Sequence, residues 1–378
     1  MATTYFPNSE QFDLMNAKLD KIAGAIAVTG QYADFAGMQR AVRNGLGREQ
    51  FPIGSQFIVP HSVFGDMICE VMAHDYLKSA YDQNAHTMTC KVKTLLPAIQ
   101  FDEKEAFYYA DDAIPAGTYH FSIGTAYNSW AAGSYQFTLA NALPKGGQLC
   151  FNVNTADAAL TSAKVQAYAS QTSTTVTETC NITSGNGGTN LGELGNGLNH
   201  PHRICYGSNN YKESAMRQHL NSSAAAGSVW KPQTKFDRPP SWLTTLAGFE
   251  AGLDADFLAV VGAVALPCTA NTVYESPDST VQVNTAYTVK DKFYLLSRNE
   301  VFGSKPFAAD ESVLLPYYEG ATNADRIGYT SAGTPATQWL RTPDPSNACD
   351  VYLVISDGSL NRYTARISLA YAPAFTII

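Results

Sequence analysis

The residues of this chain that could do chemistry are few and scattered. Asn199-His200-Pro201-His202, with Cys205 close by, is the densest run of metal-ligand types. A His-x-His pair in a strand presents both rings on one side and can hold a metal. No further ligand is indicated beside it, so no metal is expected. Asp310, Glu311, Glu319 and Asp325 offer oxygen ligands of the kind calcium takes, but their spacing matches no calcium loop. A solvated acidic loop is the expectation there. No carboxylate pair stands out for glycan hydrolysis, and G-x-S-x-G, G-x-x-x-x-G-K-[ST] and H-E-x-x-H are all absent. The glycine-rich run from Gly185 to Gly197 follows no strand-to-helix pattern that would cradle a phosphate. The chain reads as a non-enzyme without cofactor. Trp339 and Arg341 could frame a sugar site by stacking plus a charged fork. Alternatively Trp339 is a core anchor and Arg341 pairs with an internal carboxylate such as Asp357. The second arrangement is the expected one.

Composition narrows the class. Of 378 residues only 15% are charged and 21 are Tyr; globular chains usually carry about 25% charged residues. This texture suits a β-rich, loop-rich virion or extracellular protein. The net charge of −8 and the lack of any basic run exclude a nucleic-acid partner. Seven cysteines, at 69, 90, 150, 180, 205, 268 and 349, include no C-x-x-C and read as scattered buried thiols. Residues Met1 to Tyr5 lack the start of a signal peptide. No stretch approaches the ~18 apolar residues of a membrane span, so no membrane insertion is expected.

The elements that would position any site change along the chain. Residues 8–27 predict a helix with Phe12, Met15, Leu19, Ile22 and Ile26 on an a/d seam. Too short to stand alone, that seam meets copies of itself, a partner subunit or its own domain. A second helix is predicted over Asp34 to Asn44, with Gly45 ending it. From Phe51 the apolar period becomes two, giving strands over 51–59, 67–74 and 87–92 and a further apolar stretch over 95–102. Five short strands follow between 118 and 179, at the spacing of a β-sandwich. A capped helix is predicted over 206–221, with Ala215, Met216, His219 and Leu220 inward. Buried strands are predicted over 257–265 and 292–297, the latter followed by a turn at Glu300 to Gly303.

Three ordered segments carry a resemblance. They are Tyr206 to Asn221 (Y-x-x-N-x-x-x-E-S-x-x-R-x-x-L-N), Asp291 to Phe302 (D-K-F-Y-L-L-S-x-x-E-V-F) and Gln338 to Phe375, which opens W-L-R-x-P, passes S-D-G-S-L and ends P-A-F. Together they resemble a lectin-like domain of gut-bacterial and prophage proteins, similar to the C-type-lectin-like fold of formylglycine-generating enzymes and of retroelement-diversified phage variable proteins. The resemblance implies an α+β, mostly β chain. Residues 1–30 would be a helical anchor or oligomerisation segment, 31–105 the first part of the lectin-like domain, 106–200 an inserted β-sandwich, and 201–378 the remainder with its display segment. The formylglycine-generating relatives use a Cys pair near the C-terminus. Only Cys349 lies there, so that oxidase activity is not expected.

The implied role is a bacteriophage virion structural protein, made in the host cytoplasm and exposed on the particle as a tail-fibre, baseplate or head-fibre adhesin. Its partners would be other virion proteins or copies of itself through the N-terminal helix, and a host-surface glycan or protein. The alternative is a head or tail decoration protein without host binding. By analogy with the variable proteins, the ligand-facing candidates are Asn347, Asp350, Tyr352, Asn361, Tyr363, Arg366, Ser368 and Tyr371. Tyr gives large contact area at low entropic cost, and Asn and Ser adapt their hydrogen bonds.

Overall fold

The computed structural model describes residues 34–103, 106–110, 112–124, 131–152, 164–170, 175–193, 203–204, 209–231, 239–273, 282–304, 306, 311–345 and 350–378. The expected helix over 8–27, the His200–His202 pair and Cys205 lie outside them. Asp34 caps helix α1 (Phe35–Arg43) by accepting from the Gly37 amide at 3.1 Å. Phe35, Met38, Ala41 and Val42 turn inward, and Gly45 follows with φ of +76°. After α2 (Gly47–Gln50), the expected strand from Phe51 begins only at β1 (Gln56–His61). Pro52 and Gly54, at φ of +87°, make the intervening residues a turn. Next come β2 (Gly65–His74), β3 (Met88–Val92) and β4 (Thr94–Gln100).

The intervening stretch contributes β5 (Ala106–Tyr109), β6 (Gly117–Ile123), β7 (Gly133–Leu139), β8 (Gln148–Asn152), β9 (Lys164–Tyr168), β10 (Glu178–Asn181), β11 (Thr183–Ser184), β12 (Thr189–Glu193) and β13 (Arg203–Ile204). They form two sheets, β10-β9-β8-β5-β13 and β11-β7-β6-β12. Phe121, Phe137, Leu149 and Val165, from both sheets, share one core cluster separate from the main one.

Beyond residue 209 come α3 (Ala215–Leu220), α4 (Ala255–Val260), β14 (Val261–Gly262), the paired β15 (Val264–Val273) and β16 (Gln282–Asp291), β17 (Phe293–Tyr294) and α5 (Arg298–Phe302). After them run α6 (Asn323–Arg326), β18 (Gly328–Thr330), β19 (Pro335–Ala336), β20 (Gln338–Pro343), β21 (Asp350–Val354), β22 (Leu360–Thr364), β23 (Ser368–Tyr371) and β24 (Ala374–Ile377). Three expectations are corrected here. The helix expected over 206–221 is only Ala215–Leu220, capped by Ser214, with a turn over residues 211–213 before it. Phe257 to Val260 is the last four residues of a six-residue helix capped by Asp254, because a short apolar run alone does not separate a helix from a strand. The expected turn at Glu300 to Gly303 belongs to α5, fixed by a capping box between Ser297 and Glu300 and ended by Gly303 in the left-handed region.

The early and late strands build the same two sheets. One runs β1-β2-β3-β24-β14, with β17 also on β24; the other runs β19-β18-β4-β23-β20-β21-β22. The β3–β24 and β4–β23 pairs are both antiparallel and nearly continuous in register. They form one bent ribbon that crosses from sheet to sheet at Lys93 and Pro373, where the Val92 amide donates to the Pro373 carbonyl at 2.8 Å. The main core gathers beside this ribbon. Phe257 meets Phe375 edge-on at 5.0 Å, and Phe249 meets Phe293 at 5.1 Å.

His219, on the inward side of α3, is fully enclosed and shares a 3.0 Å hydrogen bond with the Tyr371 hydroxyl. Burial holds its pKa down from 6.5 to about 4. A depressed folded value means that its contribution is present above pH 6.5 and lost as pH falls through about 4. We expect the stability difference between wild type and His219→Gln to change by roughly 3 kcal/mol between neutral pH and pH 4. Urea titrations across that range check this, and a pH-independent difference would refute a buried neutral imidazole.

Candidate functional site

The closing segment rests on a buried guanidinium. Trp339 and Arg341 of β20 are both enclosed, and the Trp339 indole donates to the Ile99 carbonyl at 3.1 Å. Arg341 does not meet Asp357, which sits in an exposed turn where its side chain accepts from the Ser359 amide. Its partner is Glu300, gripped through both Nη atoms at 2.6 and 3.0 Å. The remaining Nη hydrogen bonds go to the carbonyls of Leu295 at 2.7 Å and of Pro267 and Glu311, each at 3.3 Å. Glu311 is no solvated loop acid. It is buried, and its carboxylate accepts from the Thr269 amide and hydroxyl and from the Thr342 hydroxyl. Burial raises its pKa, while Arg341 and the Thr269 and Thr342 hydrogen bonds oppose the rise. With its side chains enclosed and both carboxylates engaged by protein donors, this network is scaffold.

On that scaffold stands the β21–β22 hairpin. β21 is buried along most of its length, whereas β22 is the sheet's edge and exposes Asn361, Arg362 and Tyr363. Tyr352 lies opposite Arg362, while Val351 faces Tyr363 and Leu353 faces Asn361. Alternation therefore sends Tyr352 and Arg362 to one side of the hairpin and Asn361 and Tyr363 to the other. The Arg298 guanidinium lies 4.5 Å from the centre of the Tyr352 ring, and its Nε donates to Ser304 Oγ at 3.1 Å. Arg362 pairs at 2.5 Å with the enclosed carboxylate of Asp344. The hairpin turn is docked on α6. Gly358 has φ of +81°, and a Cβ there would lie 1.7 Å from the Asn323 carbonyl oxygen.

A family described as a domain of unknown function, DUF6273, matches residues 163–378. The chain belongs to the DUF6273 family. The match begins at β9 and takes in Arg341, its network and the hairpin, while β1 to β4, which complete the DUF6273 sheets, precede it. No curated protein and no solved structure matches the chain.

Within this DUF6273 chain the sequence candidates scatter. Asp350, Tyr352, Asn361 and Tyr363 meet on the hairpin, but on its two sides. Two are corrected by burial. Tyr371 is enclosed against His219, and Tyr352 keeps only 8% exposure, its ring covered by Arg298. Consecutive residues of both strands are buried at these positions, so both faces are covered and alternation gives them no solvent face. Asp350 is half-buried, and its carbonyl accepts from the Asp344 amide and the Asn209 side chain. Arg366 is half-buried, and Ser368 is exposed beside a groove of about 360 Å³ between β18, β4 and β23. Asn347 lies outside the described residues. Sequence reasoning missed Arg298, Arg362 and Asp344. The signal for Arg362 was there, since it occupies the strand position between two chosen residues. Arg298 carries no such sign, because only the fold brings α5 to Tyr352. Four cysteines, Cys69, Cys90, Cys180 and Cys268, are free and buried. Among the described residues no three His, Cys, Asp or Glu converge as metal ligands, and no helix is long and apolar enough to cross a membrane.

Arg341→Leu leaves Glu300 buried without its cation and should cost about 3–5 kcal/mol in urea denaturation. Adding Glu300→Leu should restore part of that loss; a double variant no more stable than the single would show that the stranded carboxylate is not the cause. At the turn, Gly358→Ala should cost roughly 1–2 kcal/mol or more through the left-handed backbone alone. Because the new Cβ also meets Asn323, amide exchange should quicken over 322–326 and 355–360; unchanged exchange at those positions would disprove the docking.

Proposed function

We propose that the chain is a non-enzymatic structural protein of a bacteriophage particle, exposed on the virion, whose closing hairpin is displayed for attachment to a host-surface glycan or protein. In this reading residues 31–105 and 201–378 are two parts of one C-type-lectin-like domain, and 106–200 is a β-sandwich inserted between them. The pairing of β3 with β24 and of β4 with β23 supports the split domain, and the separate core around Phe121 and Leu149 supports the insertion. Residues 1–30 would join the chain to other virion proteins or to its own copies.

The observation that carries the reading is the contrast between β21 and β22. A strand buried along most of its length holds an edge strand that exposes Asn361, Arg362 and Tyr363, of which Arg362 is anchored on the enclosed Asp344. An exposed edge normally invites unwanted pairing; a polar, Tyr-bearing edge on a rigid support suits recognition. The purified chain should bind host cells or their wall fraction, and Asn361→Ala with Tyr363→Ala should lower that binding at least about tenfold, as loss of a central contact pair does. Undiminished binding would place the contact elsewhere. No binding by the wild-type chain would remove the adhesin role and leave decoration of the particle.

A further inference from the structure

In a chain of net charge −8, two arginines meet at the side of the hairpin that carries Tyr352, and a third lies on the other end of α5. Arg362 lies across from Tyr352, and Arg298 stacks on the Tyr352 ring. Four positions along α5, on the same side of that short helix, Phe302 carries the third. The Arg326 guanidinium lies 4.8 Å from the Phe302 ring centre, and its Nε donates to the Val301 carbonyl at 3.0 Å. Gly358 against Asn323 brings α6, which ends in Arg326, up to the hairpin.

The charges are unequally answered. Arg362 is tied to Asp344. Arg298 and Arg326 are each held by one Nε hydrogen bond and one ring, and no carboxylate among the described residues pairs with either. The nearest acid in sequence to Arg326, Asp325, turns one oxygen to the amide and hydroxyl of Thr322, at 2.8 and 2.7 Å, and acts on Arg326 through charge without an ion pair. A guanidinium stacked on a ring keeps its N–H edge free in the plane, already oriented for two parallel bonds to an oxyanion. Both arginines are half-buried. The ordering cost that weakens flexible surface cations is largely met by the rings.

We propose that the Arg298–Arg326 edge binds the oxyanion groups of an acidic polysaccharide, carboxylate or phosphate, with Arg362 held beside it by Asp344. This rests on the display reading and supplies its ligand class. It assigns recognition to the Tyr352 side of the hairpin, in addition to the Asn361–Tyr363 side.

The test uses the full chain with two acidic polymers, polygalacturonate and poly(glycerol phosphate), and with neutral dextran and single-stranded DNA as controls. Binding of one or both acidic polymers, weakened by added salt and absent with dextran, is expected, and the preferred polymer tells carboxylate from phosphate. Arg298→Gln and Arg326→Gln should each weaken it about tenfold, the scale of one charge-assisted hydrogen-bonding group. Arg298→Lys keeps the charge and stem but loses the fork, so weaker binding at unchanged thermal stability is expected and separates recognition from misfolding. Affinity unchanged in both glutamine variants, equal binding of dextran, or tighter binding of DNA would overturn the proposal. Host-cell attachment without affinity for either acidic polymer would sink this proposal while leaving the display reading standing; failure of host-cell attachment would sink that reading instead.

Discussion

Arg341 is fully buried, and five acceptors surround its two Nη atoms. Those acceptors come from β15, from the turn before α5, from α5 itself and from the segment that follows it. A buried ion pair of this kind adds little net stability over well-packed apolar groups, because desolvation offsets most of the attraction. What it supplies is placement. A rigid planar fork meets a carboxylate and three carbonyls at once in one relative arrangement only. β20 is thereby fixed against α5, and β21 and β22 follow from β20. The surface on which Arg298 and Tyr352 meet is a consequence of that single anchor.

A second, smaller clasp works in the same way. Arg217 of α3 grips both oxygens of the buried Asp291 at the end of β16 at 2.7 to 3.1 Å. Asn221, closing the same helix, accepts from the Lys292 and Phe293 amides and donates to the Phe293 carbonyl, as a neighbouring strand would. The three segments that stand out in the sequence are thus joined by two Arg–carboxylate pairs, Arg217 with Asp291 and Glu300 with Arg341. The two arginines and their carboxylates are internal fasteners between these segments.

Much of this was legible locally. The Asp34 cap, the apolar face of α1 and the inward set Ala215, Met216, His219 and Leu220 all follow from rules that act within one or two turns. The alternating strands between 117 and 168 likewise announced themselves. Readings failed where a choice depended on distant partners. The Phe257 to Val260 run fits a helix or a strand equally, and packing against α1 and Phe375 decides it. Arg341 could name its need for a carboxylate but not which one. Glu311 looked like loop polarity because its two threonine partners are 42 and 31 residues away. The site was half-legible for the same reason. The β22 residues are adjacent in sequence, whereas Arg298 and Arg326 reach the hairpin only through tertiary contacts.

The bent ribbon also orders events during synthesis. β24 lies between β3 and β14, so the six-stranded sheet has a gap at its centre until residues 374–377 have left the ribosome. More than 280 residues separate Thr89 from its partner Thr376. Until that partner arrives, β3 waits with an unpaired edge, while the intervening strands of residues 106–204 can already close around their own core. The six-stranded sheet therefore closes only after the strands with the separate core have been made, and the pairing that closes it is among the most distant in the chain.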